Sequence, residues 1–203
     1  MESVKNRNFV KGPVAIPAGI SSKLSANSQA MAAVRVASLL VPNGHTIAIA
    51  ESSAGGLIAS SLLAVSGASK FFQGGVVCYS AVSKEKLLGL SNTKPTATEA
   101  HALELADAAR KTLNAEWGLG ETGVAGPGKN SRGCAPGVCA IAIVGPNGFR
   151  KATTLWPDES LSAADAYGQP PALSREDRMR HFGASAVLFA AEGLTAHYAE
   201  RGS

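Results

Sequence analysis

Apolar and polar positions alternate between two periods along the chain. From Ser28, apolar residues recur at helical spacing through Met31, Val34, Val36, Leu39 and Leu40, and Pro42-Asn43-Gly44 ends the pattern. His45 to Glu51 is a short β-favouring run. It meets a serine pair and two glycines, then an amphipathic helix over Leu57–Val65 that stops at Ser66-Gly67. Gly74-Gly75-Val76-Val77-Cys78-Tyr79-Ser80 contains a buried strand, and Ser83 is the expected N-cap of a short helix through Leu88 to Gly89. Thr96 or Thr98 caps a longer helix to about Leu113, with Ala102, Leu105, Ala106 and Ala109 facing inward. Trp117–Ala125 reads as a strand running into Gly126-Pro127-Gly128, and Val138–Val144 as one covered on both faces. Pro146-Asn147-Gly148 signals a hairpin to an antiparallel strand over Phe149–Trp156. Pro157–Leu173 is a Pro-, Gly- and Ser-rich loop, and Ser174 caps a last helix to about Tyr198.

Helices alternating with strands, plus one late hairpin, predict an α/β fold: three layers, α/β/α, around a mixed, mostly parallel central sheet. Residues 1–26 form a polar, proline-punctuated lead-in expected to be flexible, and residues 27–203 are expected to form a single domain.

Composition narrows the function classes. The net charge is +4, but the basic residues are scattered and aromatics make up only 5%, which argues against a nucleic-acid surface and leaves room for an anionic ligand. Cys78, Cys134 and Cys139 are odd in number and lack CxxC spacing, so a disulfide framework is not expected and a reducing, cytoplasmic setting is. His45, His101, His181 and His197 stand apart from one another and from paired cysteines, so no metal site is legible. No apolar run is long enough to span a membrane.

Three turns follow predicted strands and should share one sheet edge, where ligands of α/β sheets gather. They bring together Ser52, Tyr79, Lys84 and Thr122. A serine needs a base to act as a nucleophile, and a lysine serves if its amine is free. Taken alone, the turn at Glu51–Gly56 is an ordinary strand-to-helix turn with Ser53 as N-cap, and Lys84 a solvated helix residue like Lys86. Glu51 has no assigned role at this level. Thr122–Gly128 lacks the GxxxxGK[ST] and GxGxxG patterns, so neither nucleotide hydrolysis nor dinucleotide binding of those kinds is expected. Arg175, Arg178 and Arg180 at the start of the last helix are placed to clamp a phosphate or carboxylate, or to form a solvated face.

In order and spacing these segments resemble the CinA carboxy-terminal domain family, the nicotinamide mononucleotide deamidases. The resemblance rests on Ala50–Gly56, Gly74–Ser80 with Lys84, Leu87-Leu88-Gly89, Thr122–Gly128, Gly137-Val138 and Arg175–Arg180, and spans about Ser28 to Tyr198. It implies hydrolysis of the mononucleotide's carboxamide to nicotinic acid mononucleotide and ammonia, a step of pyridine-nucleotide salvage. Ser52 matches the nucleophile, Lys84 the base and Tyr79 the phenol of their network. An arginine among Arg175, Arg178 and Arg180 would hold the phosphate. Backbone N–H groups at Gly55-Gly56 or around Thr122-Gly123 would form the oxyanion hole. The resemblance implies no metal or organic cofactor, a small nucleotide as partner, and a homo-oligomer such as a dimer. Ser53 and Ala54 stand where the family has Cys and Thr, and Lys129 and Asn130 where it has glycines. The alternative is a non-catalytic pyridine-nucleotide or anion-binding module of the same fold.

Overall fold

The computed structural model describes residues 26–91, 93–157 and 173–200. Its elements run α1 (Ala26–Leu40), β1 (Ile47–Glu51), α2 (Leu57–Leu63), β2 (Phe72–Val77), α3 (Ala81–Leu88), α4 (Glu99–Thr112), β3 (Trp117–Gly123), β4 (Cys139–Val144), β5 (Arg150–Leu155) and α5 (Arg175–Ala199). The five strands form one sheet in the order β2-β1-β3-β4-β5. β1 is parallel to β2 and β3, whereas β4 is antiparallel to β3 and β5, so β4 alone runs against the other four.

The two sheet faces differ because the strands alternate large and small residues. Ile47 and Ile49 of β1, Trp117 and Leu119 of β3, and Ile141 and Ile143 of β4 join one core with α1, α2 and α5, including Val36, Ile58 and Phe182. The opposite face presents Ala48, Ala50, Gly118, Gly120, Ala140 and Ala142 to α4, with α3 beyond. There the α4 backbone lies directly on β3. A Cβ at Gly118 would stand 1.9 Å from the Ala106 carbonyl oxygen, and one at Gly120 2.1 Å from that of Ala102. Only glycine permits this approach, and it fixes α4 antiparallel to β3, with its first turn over the strand's carboxyl end. This is the three-layer α/β/α arrangement with a mixed sheet.

The caps correct two expectations. Ser80, not Ser83, is the N-cap of α3: the two hydroxyls form a reciprocal capping box with Ser83 at the third helical position. Lys84 and Leu88, one turn apart, are the buried residues of α3, so Lys84 is no solvated counterpart of Lys86. The N-cap of α2 is Gly56, with no side-chain cap, because Ser53 bonds elsewhere. Of the two threonines before α4, Thr98 caps it, accepting from His101 N. Ser174 caps α5 in a box with Asp177. The expected lead-in over residues 1–26 and most of the Pro157–Leu173 loop lie outside the described residues. No described helix is long and apolar enough to cross a membrane.

Candidate active site

β1 ends on a buried glutamate, and β3 carries another, two residues before its end. Their register pairs Ala50 with Gly120, so Glu51 and Glu121 follow abreast at the carboxyl edge of the sheet. Each carboxylate then organises a different part of the turn after β1. Glu121 Oε2 accepts from the Ser52 and Ala54 amides, both at 2.9 Å, while its Oε1 accepts from the Ser53 hydroxyl and, at 3.4 Å, from the Cys139 thiol. Glu51 accepts from the amides of Gly56 (2.9 Å), Ile58 (3.1 Å) and Ala59 (3.0 Å), standing in for the side-chain cap that α2 lacks. Burial is the main cause that pushes the Glu51 carboxyl above its usual range; the three N–H groups oppose it and the Glu121 charge adds to it. Burial, then the charge and hydrogen bond of Glu121, push the Cys139 thiol well up, so it stays protonated and donates.

Ser52 is thereby fixed through its backbone in a packed turn, with the residue 8% exposed. Ser53 faces inward, and a Cβ at Gly123 would stand 2.7 Å from its Oγ. The Gly56 N–H expected to bind an oxyanion is committed to Glu51. Thr122 and Gly123 pair with Ala140 and Cys139 in the β3–β4 ladder. Among the described residues the N–H groups of Ser53 and Gly55 meet no acceptor.

Lys84 is 4% exposed, and among the described residues no carboxylate lies within 4.0 Å of its amine. No hydrogen bond joins it to Ser52 there. Tyr79, just past β2, is 63% exposed, and its hydroxyl accepts from Arg175 Nη2 at 3.3 Å instead of from Ser52 or Lys84. The Thr122 hydroxyl accepts from the Ala97 amide at 3.1 Å, tying the approach to α4 to the end of β3.

The opposite wall comes from the first turns of α5. Arg175 Nη1 donates to the Gly126 carbonyl, and Arg178 Nη1 to that of Ala125 at 3.2 Å. Met179 covers the turn, where a Cβ at Gly55 would stand 2.7 Å from its Cε. Arg180 points away and pairs with Glu176 on the exposed side of the helix. Thus Ser52, Tyr79, Arg175 and Arg178 surround one edge, and Arg180 is not part of it. Lys129 and Asn130 lie beyond this wall, where the Asn130 side chain accepts from the Arg132 and Cys134 amides and folds its own loop.

Sequence reasoning missed Glu51 and Glu121 as the groups that shape the turn. The available signal was a single carboxylate toward the carboxyl end of each of two mainly apolar strands. Among the described residues no group of three or more His, Cys, Asp or Glu side chains is placed to hold a metal ion.

The sequence and the fold have counterparts. The chain is 37% identical over 119 residues to a CinA-like protein of Fervidobacterium nodosum, a match covering 57% of this chain and 29% of the relative. A CinA-like protein of Gloeobacter violaceus is 39% identical over 118 residues, covering 56% and 28%. The match therefore spans less than a third of the length of these curated relatives. Among solved structures, the competence/damage inducible protein CihA of Agrobacterium tumefaciens superposes with a TM-score of 0.66 at 26% identity, covering 81% of this chain and 96% of that one. A CinA superfamily protein of Klebsiella pneumoniae shares the fold with a TM-score of 0.67 at 21% identity, covering 83% and 98%. The model of the CinA C-terminal domain matches residues 29–162, more than half of the chain, which takes in the Ser52 turn, Lys84 and the Thr122 loop. The chain belongs to the CinA C-terminal domain family.

Proposed function

We propose that the chain is an amidohydrolase that converts nicotinamide mononucleotide to nicotinic acid mononucleotide and ammonia, with Ser52 as nucleophile and Lys84 as base. One observation carries this reading: a lysine buried at the same sheet edge as a backbone-fixed serine, with no carboxylate partner among the described residues to hold its proton. A solvated helix lysine would not be packed in this way.

In the proposed reaction the Lys84 amine takes the Ser52 proton as Oγ attacks the carboxamide carbon. The tetrahedral oxyanion is met by backbone N–H groups of the turn, for which Ser53 and Gly55 have theirs to offer. The C–N bond then breaks, and the proton held by Lys84 passes to the departing nitrogen, releasing ammonia and leaving an ester on Ser52. Water attacks the ester, gives its proton to Lys84, and nicotinic acid mononucleotide leaves as Ser52 regains its hydrogen. Arg175 and Arg178 offer guanidinium groups to the phosphate, a stronger acceptor than the Gly126 and Ala125 carbonyls they now contact. Tyr79 meets the α5 wall through its hydrogen bond with Arg175.

A second reading, a pyridine-nucleotide binder without turnover, is favoured by one observation: Ser52 and Lys84 share no hydrogen bond, and Tyr79 is engaged by Arg175. Ammonia release from nicotinamide mononucleotide separates the two. The amidohydrolase reading expects release by the wild type and a loss of at least about a thousandfold in Ser52→Ala and Lys84→Met. Calorimetric binding of the mononucleotide, equal in wild type and Ser52→Ala and without ammonia from either, would establish the binder instead.

A further inference from the structure

His101 belongs to no part of the reaction described so far, yet it is one of the most enclosed polar side chains in the molecule. It stands in the first turn of α4, fully buried, and its Nδ1 lies 3.0 Å from Glu104 Oε2. That oxygen also accepts from the Lys94 amide at 2.8 Å, so the carboxylate is the acceptor toward the ring as well and Nδ1 carries the proton. Nε2 is left as a bare acceptor, buried and without a hydrogen-bond partner among the described residues. A buried acceptor left unpaired costs stability unless it has a purpose.

The helix packing indicates what it faces. On α4, His101, Leu105 and Ala109 recur at i, i+4 and i+8; on α3, Lys84 and Leu88 recur at i and i+4. Leu88, Leu105, Ala109 and Cys78 form one apolar cluster between the two helices and the sheet. One turn before Leu105 is His101, and one turn before Leu88 is Lys84, both on the side of the site. We infer that His101 is a positioning residue for Lys84: Glu104 holds the ring by its Nδ1–H, and the bare Nε2, unbonded in the resting arrangement, is the acceptor that the lysine amine takes up once it is protonated.

The electrostatics agree with this geometry. Burial holds the His101 imidazole below its usual range, the Glu104 hydrogen bond opposes that, and the nearby Lys84 charge reinforces it, so the ring is neutral and able to accept. Cys78 does not compete for the role. Its thiol is pushed up to about 11, mainly by burial, and donates to the Glu51 carbonyl at 3.5 Å. The charged groups acting on His101 are therefore Glu104 on its own helix and Lys84 from α3, and Cys78, just past β2, lies on the Lys84 side.

This inference rests on Lys84 being the base, and its test has two readouts. The first is the pH dependence of ammonia release by wild type, His101→Val and His101→Gln, the glutamine retaining an acceptor near Nε2. The expected result for His101→Val is a fall in kcat of about ten- to a hundredfold, with little change in KM and an acid limb moved to lower pH, because the ammonium has lost its acceptor. His101→Gln should recover most of both. The second readout needs no turnover: NMR titration of Lys84 in protein carrying 13C,15N-lysine, with its signal assigned by Lys84→Met. The titration midpoint should move to lower pH in His101→Val and return in His101→Gln. A profile and a titration unchanged in His101→Val overturn the inference. If the wild type releases no ammonia, the amidase reading falls, and the titration alone decides the His101–Lys84 link: a shift upholds it and no shift removes it.

Discussion

The two walls of the candidate site are held in opposite ways. The Ser52 turn hangs on two buried carboxylates that together accept from five backbone amides, a hydroxyl and a thiol. The α5 wall is made of arginines that reach across solvent-facing space to two carbonyls and a phenol. On the proposed function the contrast has a reason: a nucleophile has to be fixed to within a fraction of an ångström, whereas a phosphate clamp has to open and close on its ligand. Damage to the first wall should therefore appear as lost stability, and damage to the second as lost affinity. The strongest way to break this contrast is Glu121→Ala, which leaves the Ser52 and Ala54 amides and the Ser53 hydroxyl without their acceptor. A loss of about 3–5 kcal/mol is expected in urea denaturation. A variant within about 1 kcal/mol of wild type would mean that the turn is held by packing alone.

Glu51 sharpens the same contrast through pH. Its carboxyl holds its proton to higher pH in the folded protein than in the unfolded chain, mainly because it is buried. Its contribution to stability is accordingly full below the ordinary glutamate value and declines as pH rises through the raised folded one. Asp107 and Glu116 run the other way. Burial is outweighed at Asp107 by Lys111 and Arg110 and at Glu116 by the Thr46 amide and hydroxyl, so their contributions are present at neutral pH and lost on acidification. Glu51→Gln keeps one acceptor oxygen for three amides and should cost about 1–3 kcal/mol near pH 4.5. That deficit should narrow toward pH 7, as the wild type alone carries the buried charge. A deficit that widens with pH would contradict the burial assigned to Glu51.

On the other wall, Arg175→Ala removes contacts to the Gly126 carbonyl and the Tyr79 hydroxyl, both exposed. Its expected signature is a rise of about tenfold in KM for the mononucleotide, with unfolding free energy within about 0.5 kcal/mol of wild type. Steady-state ammonia release and urea denaturation on the same preparation check both halves. If Arg175→Ala destabilises as much as Glu121→Ala, the division between the walls is lost.

Much of the fold was legible because its signals are local. The large-small alternation of Ile47-Ala48-Ile49-Ala50 and Trp117-Gly118-Leu119-Gly120 marks strands whose two faces meet different layers, and the Ser174 cap lies where its helix begins. The failures were non-local. Ser53 has the chemistry of an N-cap, but Glu121, 68 residues away, takes its hydroxyl. Ser80 and Ser83 cap each other, so either reads as the helix start, and the burial of Lys84 comes from the packing of α3 against α4, which no local pattern encodes. The side-by-side placement of Glu51 and Glu121 follows from strand register, which no local pattern encodes. His101 stands apart from the other histidines and the cysteines in sequence, while its partner Glu104 stands three residues on, one turn along the helix.

The smallest expected effect tests how finely the α5 wall can be divided. Arg175 and Arg178 are three residues apart and share a helix face, which turns toward Ala125 and Gly126. Arg180 is five residues beyond Arg175, rotated well around the helix, and its pairing with Glu176 is an exposed contact between residues four apart. Such pairs contribute about 0.5 kcal/mol or less. Arg180→Ala should therefore leave KM within about twofold of wild type and stability almost unchanged, whereas Arg178→Ala should track Arg175→Ala in KM. If Arg180→Ala instead raises KM as far as Arg175→Ala, the clamp wraps around the helix and the geometry of the first two arginines does not define it. Helical phase then carries less of the specificity than the carbonyl contacts of Arg175 and Arg178 indicate.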